Sequence, residues 1–251
     1  MIEIFILSIV QGITEFLPIS SSSHLILISE YLNYENQSLS LDVSLHIGSF
    51  TAVIFYFRED LVNFFKNKEL FFKIIIGSIP VMFIGFILVK FNLIEQLRNI
   101  KIIGWTTIIF GSLLFLSDKS KNIKNIGNLK YDSIIIIGLF QVLSLIPGVS
   151  RSGISITAAR FLNFDRVNSA KISFLLSIPT LAAVSVFGFN TLLKTESLQF
   201  SLLNLFSIFL SFIFSFIAIK FFLKYIKNFN LNLFVAYRIM LGVIILFFAY
   251  L

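Results

Sequence analysis

The chain has 251 residues, 57% of them hydrophobic and only 13% charged, with a mean hydropathy of +0.94 and a net charge of +7. A soluble domain keeps roughly a quarter of its residues charged, so the composition excludes water as the surrounding medium and implies a bilayer. The absence of cysteine excludes disulfides, thiolate nucleophiles and Cys-ligated zinc, and the two histidines, His24 and His46, are too few for a multi-histidine metal site.

In chain order, the first apolar region, 1–32, is interrupted at its middle by Pro18 and the run Ser20 to Ser23. Proline removes a backbone donor and clashes with the preceding turn, so this region reads as two half-helices meeting at a polar turn. Apolar spans follow at 41–57, 72–90 and 101–117, near the ~18–20 residues that cross a hydrocarbon core of roughly 30 Å. A basic stretch, 118–132, leads to a second interrupted region, 133–162, broken by Pro147 beside Ser150 and Ser152. Three more spans, 172–190, 201–223 and 233–251, complete the chain. The expected fold is all-α and polytopic: six transmembrane helices plus two re-entrant helical hairpins in a single membrane domain, 1–251.

Fourteen of the twenty Lys and Arg fall in 58–73, 118–132, 160–171 and 220–232, against four in the other connections. The positive-inside rule assigns the first set to the cytoplasm. This is a topology pattern, and no nucleic-acid surface is expected from it. With both 118–132 and 160–171 inside, region 133–162 must leave the cytoplasmic side and return to it. The matching hairpin at 1–32 is expected to enter from outside. The two breaks also look alike, Gln11 to Ser21 aligning with Gln141 to Arg151 across one gap. These features predict an inverted-topology repeat, 1–117 and 133–251, joined by a cytoplasmic linker at 118–132. Such repeats place a site where broken helices converge near the midplane.

Ionisable residues at membrane depth cost about 2.5–3.5 kcal/mol and mark function by default. Glu15, His24 and Arg151 all lie at the two tips. Gln11 and Glu15, four apart, share a helix face. Arg151 offers a fork of donors suited to phosphate oxygens. Gly148 and Gly153 permit close backbone approach, and the half-helix after them aims its first amides at an anion. A serine such as Ser21 can act as nucleophile if Glu15 or His24 takes its proton, the other protonating the leaving group, or an activated water can attack in its place. The remaining hydroxyls can solvate phosphate. A hard cation, Mg²⁺ or Ca²⁺, bound partly through substrate phosphates is a candidate cofactor, with Glu15 its candidate ligand. His46 reads as a hydrogen-bonded structural histidine; Arg238 could join the site, but it lies near the cytoplasmic end of the last span, where snorkelling to the interface is the favoured role.

QGITEFLPISSSSHL, residues 11–25, resembles the first signature of the undecaprenyl-diphosphate phosphatase family, also called bacitracin-resistance proteins; PGVSRSG, residues 147–153, is similar to the second. The resemblance covers essentially the whole chain. It implies removal of the terminal phosphate from undecaprenyl diphosphate, with the site in the bacterial inner membrane opening to the periplasm. By position it implies Glu15, Ser21, His24 and Arg151 as central residues, and Gln11, Ser22, Ser150 and Ser152 as supporting ones. Gln11 stands where many relatives have Glu, which weakens a two-carboxylate metal scheme; Ser23 stands where Gly is usual. The oligomeric state stays open, with a homodimer as one candidate.

Two other classes compete. A transporter or lipid flippase would share the inverted design, but has no need of Ser, Glu, His and Arg gathered at one place. A phosphatase of the phosphatidic-acid type is rejected: no Lys-rich motif ending in Arg-Pro and no downstream His with an Asp partner is present.

Overall fold

The computed structural model describes residues 2–31, 39–64, 68–91, 93, 97–194 and 202–251. Their backbone is helical because a bilayer offers no water to unpaired amides, and a helix satisfies them internally. The helices are α1 (Ile2–Thr14), α2 (Ser21–Tyr31), α3 (Leu39–Tyr56), α4 (Arg58–Phe64), α5 (Lys68–Lys90), α6 (Ile100–Asp118), α7 (Tyr131–Val142), α8 (Arg151–Phe161), α9 (Arg166–Lys194), α10 (Leu202–Asn228) and α11 (Asn232–Tyr250). Five are long and apolar enough to cross a membrane: α5, α6, α9 over Arg166–Asn190, α10 and α11. The segment 41–57, expected as a further span, is α3, whose apolar part Ser40–Tyr56 is shorter. The connections 33–40 and 190–200 used in the charge count fall largely outside the described residues, as does Lys66.

Both interrupted regions divide where Pro and Ser predict, α1 from α2 and α7 from α8. Around this pair of breaks the long helices pack through small and hydroxyl side chains, as membrane helices do in the absence of a hydrophobic drive between them. Ser211 Oγ donates to Leu45 O at 2.7 Å, and Ser49 Oγ lies 3.2 Å from Ser211 Oγ and accepts from Ser215 at 3.0 Å, joining α3 to α10. The backbones of α5 and α7 cross at Gly77 and Gly138, where a Cβ on Gly138 would stand 2.1 Å from Gly77 O. An aromatic chain of Phe16, Phe174, Phe222 and Phe234 runs through the core, with centroids 5.2–5.9 Å apart.

The linker after α6 is pinned rather than loose. Ile123 and Lys124 amides donate to Asn163 O, and Asp165 N donates back to Lys124 O. Arg160, fully buried, donates to the carbonyls of Asp118, Ser120 and Phe164 and to Asn122 Oδ1. Asp118 is gripped by Arg166 at 2.6 and 3.0 Å and accepts from Leu231 N at 3.0 Å, just before α11. Removing one member of a buried pair costs about 3–5 kcal/mol because the other charge is left uncompensated. Asp118→Asn is therefore expected to lower the unfolding temperature in detergent markedly. The folded fraction should keep its activity, since Asp118 sits at the opposite end of α6 from Thr106, which donates to Pro147 O at the second break.

Candidate active site

Glu15 follows α1 and is 8% exposed. Arg151 Nη2 donates to its Oε1 at 2.8 Å; Ser21 Oγ and Gln11 Nε2 donate to its Oε2 at 2.7 and 3.1 Å. An isolated buried carboxylate is costly, and these three donors are what hold it there. They come from both interrupted regions, so the two tips meet at this carboxylate. A carboxylate only accepts, so the Ser21 proton already points at the candidate base.

The tips share further bonds. Ser152 Oγ donates to Leu17 O at 2.8 Å, and the Arg151 guanidinium stands 5.9 Å over the ring of buried Phe16. Each second half-helix is entered through a serine of positive φ, Ser20 at 73° and Ser150 at 71°. Such residues persist only where the surroundings hold them. Ser20 Oγ contacts Ser23 Oγ at 2.9 Å and Ser22 Oγ at 3.3 Å; Ser150 Oγ contacts Ser152 Oγ at 3.2 Å and accepts from Gly153 N at 3.1 Å. Ser150 and Ser152 are buried and tie the turns together, whereas Ser22 is exposed and Ser21 half-buried.

The glycines serve packing. Gly148 has φ +93°, and a Cβ there would meet Thr106 Oγ1 at 2.0 Å and Ile103 O at 2.7 Å, on α6. A Cβ on Gly153 would meet Arg238 Nη1 at 2.9 Å. Gly148→Ala combines a backbone conformation that L-residues resist with overpacking, each worth about 1–3 kcal/mol. It is expected to lower thermal stability by the sum, and a differential scanning measurement would detect it.

His24 is placed one turn beyond Ser21, yet its partners are Ser20 O at 2.6 Å and Tyr237 Oη at 2.5 Å, not Glu15, Ser21 or Arg151.

The description "Bacitracin resistance protein BacA" matches residues 4–244. The chain belongs to the BacA family. Similar curated proteins bear the name undecaprenyl-diphosphatase. That of Pelagibacter ubique is 51% identical over 251 residues, covering 99% of this chain and 98% of its own. That of Jannaschia sp. is 39% identical, with 98% of each chain covered. That of Campylobacter curvus is 40% identical, again with 98% of each covered.

In this BacA-family chain three contributors escaped the sequence reading. Arg238 does not snorkel: it is fully buried, and its guanidinium donates to Thr107 O, Pro18 O, Gly148 O and Val149 O at 2.8–3.4 Å. Four converging carbonyls outweigh the pull of the interface, and an Arg well inside an apolar span was the signal. His46 is hydrogen-bonded as expected, but its partner is Gln11 Nε2 at 3.2 Å, so it adjoins the site. Tyr237, neighbour of Arg238, left no signal beyond its ring.

As a cation site the donor set is sparse. No group of three or more His, Asp or Glu suited to a metal occurs among the described residues, and both Glu15 oxygens are engaged. Gln11 Oε1, however, is buried without a partner. One carboxylate and one amide oxygen cannot supply the roughly six oxygens of a hard cation, but they suit an ion that brings phosphates and water with it.

Proposed function

We propose that this protein hydrolyses undecaprenyl diphosphate to undecaprenyl phosphate and inorganic phosphate, recycling the lipid carrier of cell-wall synthesis and so conferring bacitracin resistance. The observation that carries this reading is the single Glu15 carboxylate shared by the Ser21 hydroxyl at 2.7 Å and the Arg151 guanidinium at 2.8 Å. A nucleophile, its base and a phosphate binder stand together.

The steps follow from that geometry. An incoming diphosphate competes for Arg151, whose fork suits phosphate oxygens better than a single contact to Oε1. As Arg151 turns to the substrate, Glu15 is released to accept the Ser21 proton. Ser21 Oγ then attacks the terminal phosphorus, and the bond to the bridging oxygen breaks. His24 protonates the departing lipid phosphate, and water hydrolyses the phosphoserine to free the enzyme. Gln11, Ser22, Ser150 and Ser152 line or shape the phosphate pocket, and the first amides of α8 face the anion. A divalent cation, Mg²⁺ or Ca²⁺, is proposed to arrive on the diphosphate beside Glu15 and Gln11 Oε1, where it would neutralise phosphate charge.

In the same reading the chain sits in the bacterial inner membrane with α3 as its sixth span, and with α1–α2 and α7–α8 as re-entrant hairpins. Residues 1–117 and 133–251 form inverted repeats about the linker 118–132, and the site opens to the periplasm. The distribution of Lys and Arg supports the orientation, and the paired positive-φ serines support the repeat.

The test is phosphate release from undecaprenyl diphosphate by the purified protein in detergent, with and without EDTA, beside Ser21→Ala. Release lost in the variant supports the mechanism, and EDTA sensitivity supports the cation. Substrate binding without any release would favour a transporter instead.

A further inference from the structure

The chain has two histidines, and their partners impose opposite protonation patterns. His24 Nδ1 faces the backbone oxygen of Ser20 at 2.6 Å. A carbonyl only accepts, so Nδ1 carries the proton. In the neutral ring Nε2 is then a bare lone pair, and the partner it meets, Tyr237 Oη at 2.5 Å, must be the donor. His46 is the reverse: the Gln11 amide donates to its Nδ1 at 3.2 Å, which leaves its proton on Nε2. Around His24 the fit is not a single bond. The Tyr237 ring lies nearly parallel to the imidazole and meets it edge to edge, with centroids 5.7 Å apart and planes 8° apart, fixing ring orientation.

We propose that Tyr237 is a positioning residue of the reaction, fixing the orientation of the His24 ring, whose tautomer the Ser20 carbonyl sets, and keeping Nε2 occupied until a phosphate oxygen draws the tyrosine hydroxyl away. Second partners of this kind commonly decide which nitrogen of a histidine does the work. Tyr237 is 40% exposed, so its hydroxyl can turn towards an entering anion, whereas the backbone oxygen of Ser20 cannot leave Nδ1. Once the hydroxyl has turned, Nε2 is free to take a proton from solvent, and the imidazolium so formed gives that proton to the leaving phosphate. Tyr237 also precedes Arg238, whose four carbonyl bonds anchor that turn of α11 against both tips. The proposal rests on the phosphatase reading for its role, but its geometry is measurable without turnover.

Tyr237→Phe keeps the ring and removes only the hydroxyl. It is expected to lower kcat roughly tenfold, the effect of one lost hydrogen bond, with KM changed less than ~2-fold. The second readout is ¹⁵N NMR of histidine-labelled protein without substrate, with His46→Gln used to assign the signals. The wild type should show His24 as Nδ1–H and His46 as Nε2–H. In Tyr237→Phe His24 should keep the Nδ1–H pattern while its Nε2 signal shifts with loss of the hydroxyl bond, and the signals of His46 should stay in place. An active wild type with His24 as the Nε2–H tautomer would overturn the proposal. So would a Phe variant with unchanged kcat and an unchanged spectrum. A wild type with the expected spectrum but no phosphate release would sink the phosphatase reading alone.

Discussion

Glu15→Gln is expected to lower kcat for phosphate release by roughly 10³-fold, within the range of about 10²–10⁴ ascribed to a positioned general base. The amide is nearly isosteric with the carboxylate, so Ser21 and Gln11 lose little space, but the amide cannot take the Ser21 proton. It also leaves Arg151 without its counter-ion. A buried charge stripped of its partner destabilises by about 3–5 kcal/mol, and the Arg151 side chain is only 13% exposed, so the substrate-free variant should unfold at a lower temperature. Substrate or inorganic phosphate supplies the missing negative charge, and its binding should restore much of that loss by linkage. The combination is diagnostic: slow turnover, lowered stability, and an unusually large ligand-induced rise in unfolding temperature. A merely structural Glu15 would give the second effect without the first. Glu15→Asp keeps the charge but falls one methylene short of Ser21 or Arg151, so its kcat should lie between the two. Steady-state phosphate release beside thermal unfolding, with and without phosphate, reads all of this. A Gln variant within tenfold of wild-type kcat would remove Glu15 from the role of base.

How far the molecule was legible in its sequence depends on which interactions leave a local trace. The two breaks were legible because proline and consecutive serines interrupt an apolar run. Proline alone would have misled, since Pro80 and Pro179 lie inside the intact helices α5 and α9. What separates Pro18 and Pro147 is the serine that follows at positive φ, Ser20 or Ser150, its hydroxyl bonded within its own turn. The gathering of Glu15, Ser21 and Arg151 was legible as well, because charge inside an apolar region needs a partner and the two tips carried opposite charges. Helical periodicity gives a face, but neither depth nor a distant partner. Tyr237 is 213 residues from His24, and nothing near it in the chain betrays the contact. The pairing of Gln11 with His46, 35 residues on, was hidden for the same reason. The misreading of Arg238 was one of depth: counted from the chain it lies near a helix end, while in space the carbonyls of two turns and of α6 come to meet it.

That arrangement makes Arg238→Met the substitution with the largest expected effect on the fold. Methionine fills part of the volume and removes every donor. Gly148 O and Val149 O would lose partners at 2.8 and 3.0 Å, Thr107 O one at 3.3 Å, and Pro18 O one at 3.4 Å. A buried acceptor left unsatisfied costs about 1–3 kcal/mol. Even if only the two short bonds count fully, the loss is roughly 2–6 kcal/mol, a large part of a typical domain's stability. Activity should fall further than stability accounts for. Among the described residues Arg238 is the one side chain that binds carbonyls of both turns, so without it the spacing between Ser21 and Arg151 is held by fewer bonds, and a displacement of ~1 Å at a reacting centre can cost about 10²-fold. Arg238→Lys separates the two contributions. Its single ammonium keeps the charge but cannot span the acceptors from Pro18 O to Val149 O, so it should regain some stability and little rate. Here phosphate should not rescue the unfolding temperature, in contrast to Glu15→Gln, because the lost partners are neutral carbonyls, which an anion cannot satisfy. A Met variant as stable and as fast as the wild type would mean that these carbonyls find other donors and that the turns hold their spacing without Arg238.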